Sequence, residues 1–270
     1  MKQNSLLWIA AFLITVASAS YQRMTGPSYP LKGSAQIAGK VIPYQLVRSH
    51  GGTTDCAVEV KTIDEGIRGT LSWKRYKTDD AWTDVPMTFT DGTLSALLPN
   101  QPPAGKLEYR VTLNSNGQQA NLPEEGSNVI RFKGEVPLWV LIPHVFCMFC
   151  GMLFSTRAGI EFIRKERNLK PLVIWTLGFL AFGGFILGPL VQKFAFDAYW
   201  TGWPFGHDLT DNKTAVAIIA WLVVLFMLKR SPRPERWAIG ASIVTLAVFM
   251  IPHSVLGSEL KYDNVPKPKP

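Results

Sequence analysis

Cysteine is scarce in this chain. Cys56, Cys147 and Cys150 are its three cysteines, and they make no disulfide framework, because Cys56 stands alone in the polar half while the other two share one apolar segment. There is no CxxCH, no HExxH and no cysteine quartet, so no linear motif announces an attached haem, a zincin or a zinc ribbon. No basic stripe interleaved with aromatics appears, which argues against nucleic acid as a partner despite the net charge of +8. Residues 20–135 are nearly neutral, with 13 Lys/Arg against 12 Asp/Glu. The positive excess sits in short loops between apolar tracts. No internal repeat and no acidic pair within an apolar tract is present, which makes transport less attractive.

What is present divides the chain in two. Residues 20–135 are polar with Gly, Pro and Asn turn signals, and residues 136–257 are apolar tracts joined by short charged loops. The run Leu6 to Ala19, 14 residues after Lys2, ends in Ala17-Ser18-Ala19. It is expected to be either a cleaved signal peptide or a retained anchor, and either sends Tyr21 onward across a membrane. Four spans are expected at Pro137 to Ile163, Pro171 to Gln192, Thr214 to Leu228 and Trp237 to Gly257. The third has 15 residues, so Lys213 and Lys229 at its ends are expected to snorkel. Arg164, Lys165, Arg167 and Lys170 mark one cytoplasmic loop, and Lys229, Arg230, Arg233 and Arg236 another. The 21-residue loop from Lys193 to Lys213 carries only those two basic residues and belongs outside. Trp139, Tyr199, Trp200 and Trp203 fit an aromatic belt at the outer interface. Lys261 to Pro270 is expected to be an outer, solvated, extended tail.

In the exported part, apolar and polar residues alternate at period two. Leu107, Tyr109, Val111 and Leu113 fall on one face of a strand, and Cys56–Val60 and Leu71–Lys74 repeat the pattern. Asn116-Gly117 and Asp91-Gly92 are hairpin signals. Seven or eight strands are expected. With Trp73 in an early strand and Pro102 to Val111 opening a later one on Tyr109, the region resembles immunoglobulin-like and fibronectin-type-III sandwiches. The resemblance implies a core tryptophan, a tyrosine corner and a binding or spacing role, without the inter-sheet disulfide. His50 and the Lys74–Lys77 run are expected in an exposed loop and turn, with no role in a site.

The chemistry is sought at histidines inside apolar segments, where a polar group is costly unless partnered and marks a functional site. Ile142-Pro143-His144 and Ile251-Pro252-His253 repeat one tripeptide in two such segments. Both histidines are expected near the outer face, about 10 Å and 6 Å below it at 1.5 Å per helical residue. Each follows a proline expected to bend its helix and free a carbonyl. His144, Cys147, Met148 and Gly151 share a helix face. His207, with Asp208 or Asp211, lies in the outer loop. His144, His207, His253 and Asp208 could hold zinc, copper or iron. Alternatively, His144 and His253 could be the axial ligands of haem b in a bundle core. Against these stand plainer roles: histidines satisfied by freed carbonyls or a neighbour such as Ser254, Asp208, Thr210 or Asp211 capping a helix, and Cys147 and Met148 as packing. Gly184 and Gly188 form a Gly-x-x-x-Gly pair expected to serve close packing, and Arg157 and Glu161 are expected to pair or snorkel.

The sequence thus describes an extracytoplasmic β-sandwich followed by a four-helix transmembrane bundle, in a bacterial plasma (inner) membrane. Its segments are residues 1–19, 20–135, 136–257 and 258–270. The leading reading is a subunit with a histidine-based metal or haem site for electron transfer or metal handling. The other is a cofactor-free scaffold that binds a protein partner through the sandwich. Whether it is an enzyme stays open; a membrane hydrolase is weaker, because no general base stands at a fixed spacing.

Overall fold

The computed structural model describes residues 2–62, 64–206, 208–252, 257, 259–262 and 265. The chain divides into two compact units. One comprises Met1–Gly26 with Val136–Ser258, the other Pro27–Glu135 with Glu259–Pro270.

The second unit is built of β-strands. These are β1 (Leu31–Ile37), β2 (Lys40–Leu46), β3 (Ser49–Gly51), β4 (Cys56–Lys61), β5 (Arg68–Arg75), β6 (Thr83–Pro86), β7 (Thr88–Thr90), β8 (Thr93–Leu98), β9 (Lys106–Ser115), β10 (Gln118–Leu122) and β11 (Asn128–Lys133). They form a β1-β2 hairpin, a β4-β8-β7 sheet and a sheet ordered β3-β11-β9-β5-β6, with β10 also paired to β9. The eleven exceed the expected seven or eight because short pieces such as β3 and β7 carry only three residues, too few to register as alternation. Where alternation was clear it holds. Leu107, Tyr109, Val111 and Leu113 are fully buried, as are Leu71 and Trp73 on β5, and Trp73 lies opposite Tyr109 in the β5–β9 register. Side chains from all three sheets share one core, an arrangement compatible with a sandwich.

The hairpins at Asn116-Gly117 and Asp91-Gly92 turn through paired positive φ values, 52° and 79°, then 47° and 77°, as two-residue turns of this hand require. A third hairpin, at Ala38-Gly39 with φ 50° and 74°, carries no Asn or Asp and escaped notice; the Ala38 amide donates to Gln118 Oε1 at 2.9 Å. Three further details differ from expectation. The Tyr109 hydroxyl donates to Val47 O, 62 positions upstream, at 2.7 Å, rather than to a neighbour of its own strand as in a tyrosine corner. His50 sits in β3, parallel to β11, with its ring edge-on to Phe132. The start of the tail docks on this unit: Leu260 N–H donates to Ala104 O, and the Tyr262 hydroxyl donates to Lys106 O at 2.9 Å.

The first unit is helical. It consists of α1 (Lys2–Thr25), α2 (Leu138–Gly159), α3 (Leu169–Ala181), α4 (Gly188–Phe196), α5 (Leu209–Arg230) and α6 (Pro234–Met250). α3 runs into α4 through a π-helical stretch, Phe182–Leu187. Among the described residues four stretches are long and apolar enough to cross a membrane: Gln3–Thr25, Leu138–Ile163, Leu169–Phe196 and Leu209–Arg230. They suggest a multi-pass membrane protein.

The order differs from the expected sandwich-then-bundle. A helix comes first, and α1 belongs to the helical unit through Leu7, Ala11, Thr15 and Ser18, a buried stripe at helical spacing. The 14 apolar residues underestimated it because its polar ends, including Asn4 and Gln22, bond to other helices. α5 is 22 residues rather than 15. Lys213 does not snorkel: it is only 4% exposed and donates to Ile251 O at 2.7 Å. α6 stops at Met250, and Ile251 is extended at ψ 121°, so Pro252 follows the helix instead of bending it, as proline does beyond a helix end.

Small residues let the helices close on one another. A β-carbon on Gly184 would meet Thr214 Cγ2 at 2.4 Å, and one on Gly159 would meet Ser242 at 2.5 Å. Gly184 of the Gly-x-x-x-Gly pair therefore serves packing within this chain. Arg157 and Glu161 do pair, at 2.6 Å, with 1% and 0% of their side chains exposed.

Candidate functional site

His144 lies on α2 one residue beyond Pro143. Its ring reaches the π-helical stretch, where Nδ1 and the Gly183 carbonyl are 2.9 Å apart. A carbonyl can only accept, so Nδ1 carries a proton, and in the neutral form of the ring the lone pair lies on Nε2. Among the described residues Nε2 has no hydrogen-bond partner. The Gly183 carbonyl also accepts the Gly188 N–H, five residues on. That wider turn precedes Pro189, which has no N–H to continue an α-helical ladder. Glycine is needed for the close approach. A β-carbon on Gly183 would come to 2.8 Å from Cys147 Cβ and 3.0 Å from Met148 Sδ, whereas one on Gly188 would stand in ordinary contact, 3.8 Å from His144 Cε1. The shared face of His144, Cys147, Met148 and Gly151 is thus turned to α3 and the π-helical stretch, Gly151 meeting Leu180.

On the other side of Gly184 stands Thr214 of α5, and its neighbour Lys213 holds the Ile251 carbonyl. Gln22 of α1 donates to the carbonyls of Phe249 and Ile251. The beginning of the second Ile-Pro-His is therefore fastened to α5 and α1. It lies on the same end of the unit as His144, through Gly183–Gly184 and Thr214–Lys213. His253 and His207 themselves lie outside the described residues.

Asp208 is the N-cap of α5, with Oδ1 accepting from Thr210 N–H at 2.8 Å. The capping role expected for this loop holds. Asp211 does different work: its Oδ2 accepts the N–H groups of Thr201 and Gly202 at 2.7 and 2.9 Å, and the Gln192 amide donates to its Oδ1 at 2.8 Å. Asn212 Oδ1 accepts from Trp203 N–H. The loop carrying His207 is thus pinned at both ends by buried polar side chains. Trp203 and Phe205 project from it and are strongly exposed. Among the described residues no group of three His, Cys, Asp or Glu side chains could hold a metal ion.

No protein-family model and no curated protein matches the chain. Sequence reasoning found His144 and its helix face, and named Asp211 only as a ligand or cap and Lys213 only as a snorkelling residue; it missed the Gly183 carbonyl and the buried bonds of Lys213, Asp211 and Gln192. The signal available for the last three was their place: polar groups at the ends of apolar tracts, three of them around one loop.

Proposed function

We propose that this protein is an integral membrane subunit that carries a metal ion or haem b on His144, at the end of the helical unit away from the basic loops. The observation behind this reading is the His144 Nδ1–H bond to the Gly183 carbonyl. Metal-bound histidines characteristically donate their second nitrogen to a backbone carbonyl or carboxylate, which fixes ring and tautomer. Here that bond leaves Nε2 as a free donor atom. His253 and His207 would supply further ligands, with Asp208 holding the loop and Cys147 and Met148 adding polarisable sulfur beside the ring. Such a group, when bound, would supply electron transfer or metal handling. His144 would orient it, and the Gly183 carbonyl would keep the imidazole basic.

The topology proposed with it rests on a parity argument. Glu259–Tyr262, which follow α6, dock on the β-rich unit, so both lie on one side of the membrane. Between residues 135 and 259 the chain must then cross an even number of times. Three of the long apolar stretches fall in this interval, and α6, of 17 residues, supplies the fourth crossing. With basic loops in the cytoplasm of a bacterium, the β-rich unit stands outside the inner membrane, and an immunoglobulin-like or fibronectin-type-III-like sandwich there would bind a protein partner. The cofactor-free scaffold is the second reading, favoured by the use of Asp208 as the cap of α5.

Protein purified without chelator decides between them. A Soret band, or stoichiometric zinc, copper or iron that is lost in His144→Ala with folding intact, is the expected result. Protein with neither metal nor haem overturns the proposal and leaves the scaffold.

A further inference from the structure

We infer that the opposite end of the helical unit holds a binding site for the headgroup of an anionic phospholipid. The short turns α2–α3 and α5–α6 leave between them a cavity of about 530 Å³. Its polar wall includes Arg167, Lys170 and Lys229, and its apolar wall Leu169, Leu225 and Leu228.

The acids facing this cavity are already matched. Glu161 is fully buried and takes Arg157 at 2.6 Å, Arg164 at 3.0 Å and the Asn168 N–H at 2.9 Å. Glu235 takes Arg167 at 2.9 Å. Lys170 and Lys229 have no anionic partner among the described residues, so the wall has two uncompensated positive charges converging from separate helices. The first residues of α3 and α6 also line the cavity, and neither helix has a side-chain cap, in contrast to α5. Uncapped first-turn N–H groups add donors for an anion, though the lysines and the cavity carry the argument.

The apolar wall selects the form of the anion. Leu225 and Leu222, one turn apart, are exposed along α5 toward its middle, continuing Leu228 and Leu225 of the cavity as a track for an acyl chain. A free phosphate ion would have no use for that track. A phosphodiester headgroup with its chain on α5 uses both, and pockets of this kind at the basic side of a membrane protein recognise anionic lipids.

The test is native mass spectrometry of the full chain released from micelles containing phosphatidylglycerol and phosphatidylcholine. The wild type is expected to retain phosphatidylglycerol selectively, and K170Q/K229Q to weaken that retention about thirty-fold, the product of two lysine–headgroup attractions. Lys165 and Arg236 do not line the cavity, and K165Q/R236Q removes the same charge; it is expected to retain the lipid. Equal loss in both double variants would reduce the effect to diffuse charge and overturn the site. Displacement of the lipid by inorganic phosphate or glycerol phosphate at matched concentration would overturn its lipid character. Lys170 and Lys229 are exposed, so unchanged unfolding midpoints in phosphatidylcholine are expected to verify folding. Metal or haem content is untouched by either outcome, so this site and the His144 site fail separately.

Discussion

Removing one charge from the Arg157–Glu161 pair should be among the most damaging conservative changes in the helical unit. The Arg157 guanidinium is 1% exposed; Nη1 donates to Glu161 at 2.6 Å, Nη2 donates to Asn4 Oδ1 at 2.8 Å, and the Trp8 ring lies 5.5 Å away. Glu161→Gln preserves shape and keeps an acceptor for the Asn168 N–H, yet leaves Arg157 as a buried cation without a counter-ion. Loss of one partner from such a pair costs about 3–5 kcal/mol, whereas replacing both by apolar residues of similar size is close to neutral. Glu161→Gln is therefore expected to lower stability by about 3 kcal/mol or more, and adding Arg157→Met to recover most of it, because the unpaired cation is removed while the Asn168 N–H keeps an acceptor. Denaturant unfolding of the helical unit in mixed micelles, followed by tryptophan fluorescence, measures both. A cost below about 1 kcal/mol for Glu161→Gln, or a double variant no better than the single, would refute the claim that this pair is desolvated.

Three further outcomes follow from other parts of the molecule. Burial works against ionisation of Glu259, but hydrogen bonds from Lys106 and Lys77 outweigh it and hold the carboxyl below its usual value of 4.5; the tail contact is thus fully stabilised above the ordinary glutamate range and lost as pH falls below it, which hydrogen exchange at Leu260 would report as a falling protection factor relative to the intrinsic rate at each pH. Burial pushes the Cys56 thiol up to about 11, so alkylation of native protein at neutral pH should leave Cys56 unmodified until the β-rich unit is unfolded, and labelling at the rate of the denatured chain would contradict its burial. Trp73→Ala should destabilise the β-rich unit by about 3–5 kcal/mol, and a loss under 1 kcal/mol in its thermal unfolding would show that the ring is not central to the core.

Features that arise from local pattern were legible in the sequence, and those that arise from long-range hydrogen bonding were not. β9 and β4 announced themselves because one face is dry, and Asn-Gly and Asp-Gly announced turns because they tolerate positive φ. Ala38-Gly39 did not, since alanine has no such preference and its turn is supported by a glutamine 80 positions away. Among the helices, apolar length located α2, α3–α4 and α5, but α1 extends past its apolar run on polar residues whose partners are Arg157 and the end of α6. At the site, periodicity placed His144, Cys147 and Met148 on one face. No periodicity could show that the face meets a π-turn, because that turn follows from glycine contacts and a missing proline N–H. Lys213 was misjudged for a similar reason: its acceptor is a carbonyl 38 residues on, at a helix end.

The bond from Gln22 ties α1 to the end of α6, 227 residues further along the chain. During translation Asn4 and Gln22 emerge well before their partners; Arg157 follows Asn4 by 153 residues, and the Phe249 and Ile251 carbonyls follow Gln22 by 227 and 229. Insertion in order of appearance therefore cannot finish the helical unit piece by piece. α1 has to wait for α6, so a nascent chain that stalls before residue 249 would hold an unclosed helical unit, with amide side chains that a quality-control protease could recognise.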